Sequence, residues 1–168
     1  MANTYVKIAS VSVGAGGASS MAFSSIPSTY TDLVVKVSAM NTVGLSVTTL
    51  KFNGSSSGYT YKALRGSGSA AASFDQATWG SGAYIQTGYN INGSTPNSNE
   101  IYIPNYAGST NKSVSVDGVQ EANSSTAYSF LVAALWSNTA AIASITLAPD
   151  TDNFAQYSTA TLYGISKS

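Results

Sequence analysis

The chain has no cysteine and no histidine. Without thiols there is no disulfide framework and no thiolate to act as nucleophile or ligand. Without imidazole, His-assisted serine and cysteine catalysis and the common zinc sites are excluded. Charge is scarce as well. Seven basic and seven acidic residues make up 8% of the 168 residues and cancel to zero, against a usual share of about 25%. A neutral chain has no long-range pull toward nucleic acid or an anionic membrane. It also has little colloidal repulsion, which suits a surface held against other protein. The longest apolar run, Phe130 to Trp136, is far short of the roughly 20 residues a membrane helix needs. The start, Met1-Ala-Asn-Thr-Tyr-Val-Lys-Ile8, lacks the basic and apolar regions of a signal peptide. The expectation is a chain made in a cytoplasm, without membrane insertion.

What replaces charge is Ser, Thr, Asn, Gly and Tyr, the mixture of short strands and tight turns. The length fits one domain, 1–168. In residues 3–13, Val6 and Ile8 share a face and Val11 and Val13 take the opposite parity, so a bulge, or a strand that bends between sheets, is expected across Ala9-Ser10. The Gly14–Ser19 run lacks the third glycine and the following helix of a dinucleotide loop, and reads as a plain loop. Met21 and Phe23 make a short strand into a corner, Ile26-Pro27-Ser28-Thr29-Tyr30-Thr31-Asp32. The strongest strand follows, with Leu33, Val35, Val37 and Ala39 on one face and Val34, Lys36, Ser38 and Met40 on the other. Pro27 fixes φ where the chain changes sheet, and Tyr30 and Asp32 are placed to tie the corner down.

Further strands are predicted from Val47 to Phe52, with Leu50 and Phe52 inward, and from Tyr59 to Leu64 after the Asn53–Gly58 turn. Residues 66–98 read as the least regular stretch, with one short strand at Ala83-Tyr84-Ile85-Gln86. Strand patterns resume at Glu100–Ile103, closed by Pro104, then at Ser113–Val119, Ala127–Trp136, Ile142–Leu147 and Thr159–Ile165. A polar loop from Ala148 to Ser158 separates the last two. With about eight to ten strands and no helix, the expected fold is all-β, an antiparallel β-sandwich of the jelly-roll kind.

Candidate chemistry is sparse. Asp117 and Glu121 are the nearest approach to paired carboxylates for glycoside cleavage, or two solvated surface acids. Asp150, Asp152 and Asn153 offer hard oxygen ligands for calcium, or side chains that cap their own turn. The four Asn-x-Ser/Thr triplets, at Asn53, Asn92, Asn111 and Asn123, follow from composition. No catalytic residue, resident metal or cofactor is assigned. Tyr59, Tyr61, Trp79, Tyr84, Tyr89, Tyr102 and Tyr106 crowd the middle third. Of these, Trp79, Tyr84, Tyr89, Tyr102 and Tyr106 form a candidate interface or glycan-binding set, with Asn90, Asn92 and Asn97 as hydrogen-bonding partners. Cross-strand packing, a protein interface and sugar stacking are all open to such residues.

Three segments carry a resemblance. Phe23-Ser-Ser-Ile-Pro-Ser-Thr-Tyr-Thr-Asp-Leu33, the run from Phe52-Asn53-Gly54 through Tyr59-Thr60-Tyr61 to Leu64-Arg65-Gly66-Ser67-Gly68, and Ala160-Thr-Leu-Tyr-Gly-Ile165 resemble small β-sandwich virion proteins of tailed bacteriophages, notably cyanophages. The resemblance covers the two ends and the early middle, and residues 69–98 lie outside it. It implies a structural protein of the particle without enzymatic activity, located in the virion after synthesis in the host cytoplasm. A capsid decoration (cement) protein is expected, forming a homo-oligomer, a trimer, on the major capsid protein or other virion proteins. The alternative is a tail fibre or tail-tip module that binds host surface carbohydrate.

Overall fold

The computed structural model describes residues 4–42, 46–80, 82–85, 95–121 and 127–166, with backbone alone over 76–80. Twelve strands are present, and among the described residues there is no helix. In chain order they are β1 (Tyr5–Ser12), β2 (Met21–Phe23), β3 (Asp32–Ala39), β4 (Thr48–Phe52), β5 (Tyr59–Gly66), β6 (Ala71–Gly80), β7 (Ala83–Tyr84), β8 (Asn97–Ile103), β9 (Lys112–Glu121), β10 (Ala127–Trp136), β11 (Ile145–Pro149) and β12 (Thr159–Ile165).

All pairings are antiparallel. One sheet has eight strands in the order β1-β12-β3-β8-β9-β10-β5-β6, and the other has four in the order β2-β11-β4-β7. Setting aside β5, β6, β9 and β10, the chain alternates between the sheets at every connection except β4 to β7, which stays in the small sheet. The two remaining four-stranded rows, β1-β12-β3-β8 and β2-β11-β4-β7, have the double Greek-key order of a jelly roll. The expected all-β antiparallel sandwich is therefore present. The remaining four strands extend the larger sheet on one side only.

The alternation of apolar residues fixes which face is inward. Leu33, Val35, Leu50, Phe52, Ile101, Ile103, Ile145, Leu147 and Leu162 are fully buried and come from both sheets into one core. At one end Trp136 stacks on Tyr59, with centroids 6.1 Å apart, and lies 5.5 Å from Phe52. The buried Tyr59 oxygen accepts the Phe52 N–H at 2.7 Å, so this aromatic cluster leaves that polar atom satisfied.

The corner before β3 joins the small sheet to the large one, as the proline suggested. The Thr31 hydroxyl and N–H both donate to the Ile165 carbonyl, at 2.7 and 2.8 Å. Asp32 accepts the Tyr102 hydroxyl on one oxygen, at 2.9 Å, and the Asn105 N–H on the other, at 2.8 Å. The Tyr30 ring lies flat against Gly164, where an added Cβ would come within 2.3 Å of it. The buried Tyr106 hydroxyl donates to the Pro27 carbonyl. Both residues named for the corner, Tyr30 and Asp32, hold it.

Several expectations are corrected. Among the described residues there are twelve strands, more than the expected eight to ten. Residues 66–98 contain the ten-residue strand β6, which the sequence pattern hides because it is an edge strand paired only with β5. β8 begins at Asn97 rather than Glu100, because Asn97 and Asn99 occupy inward positions that normally read as apolar. β11 runs from Ile145 to Pro149, ending at a proline whose missing N–H falls at the last ladder position. The bulge in β1 lies between Lys7 and Ala9, around Ile8, slightly before the expected Ala9-Ser10. Val34, on the face opposite Leu33 and Val35, is completely buried as well.

Val35→Asp is expected to abolish folding, since Val35 is fully inaccessible in the central strand of the large sheet and an unpaired charge there has no partner. Soluble protein with native circular dichroism from that variant would refute the placement of β3.

Candidate functional site

Strand alternation disperses the aromatic set. Tyr102, on β8, points outward and is 37% exposed. Tyr84, on the short β7, is half-buried and packs on Tyr61 with centroids 5.2 Å apart. Tyr106, just after β8, is fully buried in the core. These three therefore do not make one surface. Trp79 lies in β6, whose described part there is backbone alone, and Tyr89, Asn90 and Asn92 fall outside the described residues. Asn97 is nearly inaccessible on the inner face of the large sheet, so it does not present a hydrogen-bonding group to an external sugar.

The acidic candidates resolve differently. Asp117 and Glu121 share the outer face of β9, but the residue opposite Asp117 on β8 is Glu100, which is bound by Lys36. Asp150 turns inward to accept the Ser46 hydroxyl at 2.7 Å and the Val47 N–H at 3.1 Å, and Asp152 accepts the Thr42 hydroxyl. That is the capping arrangement of an Asx-rich loop. Among the described residues no cluster of three metal-ligating side chains occurs. The Asn53 amide is likewise occupied, donating to Ala141 at 2.8 Å and accepting from Ala143 and Ser144 at 2.8 and 3.0 Å.

What the fold does present is the outer face of the eight-stranded sheet, and its two halves differ. Over the jelly-roll half, Tyr5 and Tyr163 meet edge to face at 6.2 Å, and Tyr5 is 52% exposed. Tyr163 and Tyr102 are the cross-strand neighbours of Val34 on either side. These two rings flank Val34, whose outward side chain has no exposed surface. The hydrogen bond to Asp32 holds the Tyr102 hydroxyl protonated, raising it above the usual tyrosine range. Over the extension, Leu64 and Leu131 stand directly opposite each other, 59% and 56% exposed. A shallow groove of about 490 Å³ runs beside them over Thr60, Ala133 and Leu135. Tyr102, Asp117 and Glu121 are the residues of this face that the sequence singles out as candidates. The others were legible in principle, because each sits out of phase with the buried residues of its own strand.

The inner face of the large sheet is unusually polar at one end, across β8 and β9. The Asn97 and Asn99 side-chain oxygens are buried with no hydrogen-bond partner among the described residues. Gly118 permits the Asn99 oxygen and the Phe130 ring to lie within 2.4 Å of where its Cβ would stand. The Arg65 guanidinium is sandwiched between the Phe74 and Tyr128 rings, 4.7 Å from each centroid. At the opposite end Lys112 is almost wholly buried, and its ammonium donates to three carbonyls, of Gly108 at 2.7 Å, of Thr139 at 3.3 Å and of Thr110. It ties the turn after β8 to the segment after β10.

No known protein family model matches the chain, and neither a curated protein nor a solved structure does.

Two predictions follow from the buried polar groups. Lys112→Met is expected to lose about 1–3 kcal/mol of stability in urea unfolding, because its carbonyl acceptors are then left without their donor. The alkaline behaviour has a defined sign. Burial raises Tyr59, Tyr61 and Tyr106 above 10.0, so the unfolded chain releases those protons first and stability falls as pH rises above about 10. Burial lowers Lys112 below 10.5. The unfolded chain therefore holds that proton longer, and stability rises with pH in the interval just below 10.5. Thermal midpoints measured against pH should rise slightly and then fall. In Lys112→Met the rise should vanish and the fall remain.

Proposed function

We propose that the chain is a non-enzymatic structural protein of a bacteriophage particle, a capsid decoration protein that attaches to the assembled shell by protein–protein contact. The observation that carries the reading is the tyrosine half of the outer sheet face. Tyr5, Tyr163 and Tyr102 stand on a paired, rigid sheet beside Lys7 and the Lys36–Glu100 ion pair, and exposed tyrosines on rigid elements bind protein at low entropic cost. Low net charge is compatible with close packing on a preassembled lattice. Among the described residues no acid–base pair faces an enclosed cavity, and the described grooves are shallow.

A second reading, a tail module that stacks host sugars, draws on the same exposed rings. The two separate by location and copy number. A head protein is present in many copies on the shell and a tail module in few at one vertex, which electron microscopy of the particle distinguishes. For the decoration reading, Tyr5→Ala/Tyr102→Ala is expected to reduce binding to undecorated capsids at least tenfold, the effect of losing about 1.4 kcal/mol, while the free protein stays folded. Undiminished capsid binding by that variant, or saturable binding of host lipopolysaccharide abolished by it, would count against decoration.

A further inference from the structure

We propose that the outer face of the extension, strands β9, β10, β5 and β6, is a self-complementary surface on which two copies of this chain pair about a twofold axis. The inference is independent of the particle role. It starts from two leucines in the wrong place. On a solvated antiparallel face the outward positions are normally polar. Here Leu64 and Leu131 face each other across β5 and β10, more than half exposed, with Val119 on β9 48% exposed nearby.

Charge identifies the occupant. Asp117 is the neighbour of Leu131 on β9, and on its other side stands Glu100 of β8. Two like charges directly opposite each other destabilise a sheet. Lys36 neutralises Glu100, and Asp117 has no ion-pair or hydrogen-bond partner among the described residues. The face therefore lacks one cation beside its apolar centre. It also carries one at the matching place. Lys62 stands one pleat along β5 from Leu64, where its exposed ion pair with Asp75, at 2.5 Å, is solvent-screened and weak.

The spacing of the ladder makes the match geometric. With strands about 4.8 Å apart and same-face residues about 6.8 Å apart, Asp117 and Lys62 each lie about 7 Å from the midpoint between Leu64 and Leu131. A twofold axis in the contact plane through that midpoint can therefore bring Asp117 of each copy to Lys62 of the other. The leucines then stack at the centre, and the two sets of strands cross steeply, as in orthogonal sheet packing. An isologous contact requires this property, that the patch be its own complement. Four strands of this length offer a face of about 19 by 30 Å; with the strands crossing steeply, about 19 by 19 Å of each copy overlaps, or about 700 Å² in all, the size of a weak, reversible contact. The right-handed twist turns this half of the sheet by about 80–100° from the tyrosine half, so pairing leaves the tyrosines free.

The test is a charge-swap mixture read by sedimentation velocity over a concentration series. The wild-type chain is expected to show a monomer–dimer equilibrium that weakens in high salt. Asp117→Lys alone and Lys62→Asp alone should each dimerise at least tenfold more weakly, because like charges then meet across the axis. An equimolar mixture of the two should restore the dimer, since both cross-axis contacts become Lys–Asp again. Leu64→Ser, at an exposed position, should lose the dimer without losing the fold. A wild-type chain that stays monomeric, or an oligomer of any size that ignores both swaps, would overturn the proposal.

Discussion

Everything in this fold depends on the double burial of β3. Its inward residues Leu33, Val35 and Val37 meet the small sheet, while the outward Val34 is sealed between the tyrosines of its two neighbours. A strand buried on both faces has one tolerable register, because a slip of one residue would exchange Val35 for Lys36 in the core. β12 and β8 take their register from it, and through them the rest of the large sheet follows. The corner before β3 transmits the same constraint to the small sheet. Its side chains engage β8, β12 and the turn after β8 at once, so the position of β2 relative to β3 is set by hydrogen bonds and not by the short β2 ladder alone.

One end of the large sheet obeys a different physics. There the inner face of β8 and β9 gives up its apolar alternation for Asn97, Asn99 and Gln120, with Gly118 between them. The Asn97 and Asn99 oxygens have no donor among the described residues, which costs about 1–3 kcal/mol each. Such residues persist where something else holds the strands in place, and here the long ladders of β9 with β10 and β10 with β5 do so. Arg65, clamped between two aromatic rings, covers that end with a planar cation whose face is only weakly hydrated. The added strands β5, β9 and β10 thus share the hydrophobic core of the jelly roll over most of their length, and at this one end backbone pairing takes over.

That division explains what the sequence reveals. Where strands pack against a second sheet, the period of two is strong, and β3, β4, β5, β10 and β12 are legible almost to the residue. β6 is not, because Ala71, Ala72 and Ser73 on an edge strand carry no burial signal, and its existence is dictated by the open edge of β5. The bulge was legible as a change of parity, but its position was not, since Ile8 and Ala9 are both half-buried. The aromatic set failed as a set for a plain reason. Proximity in sequence says nothing about which side of a sheet, or which sheet, a ring belongs to. Tyr102 and Tyr106 are four residues apart, yet one is on the surface and the other is in the core, because the chain leaves the strand between them at Pro104.

The scarcity of charge acquires a meaning from where the few charges sit. Lys36, Glu100, Asp117, Lys62 and Asp75 all lie on the outer face of the large sheet, in adjoining rows across β3, β8, β9, β5 and β6. Charges kept solely for solubility have no reason to gather on one face of a neutral protein. Arranged around an apolar pair, they specify orientation more than affinity, because a misaligned approach sets like charges against each other. The tyrosine half of the same face, where Lys36 and Glu100 satisfy each other, adds apolar rings with polar tips. One sheet can therefore carry two contacts of different kinds, one specific in its charge pattern and one more adaptable. The twist that separates them is the same twist that lets so wide a sheet close over a small one.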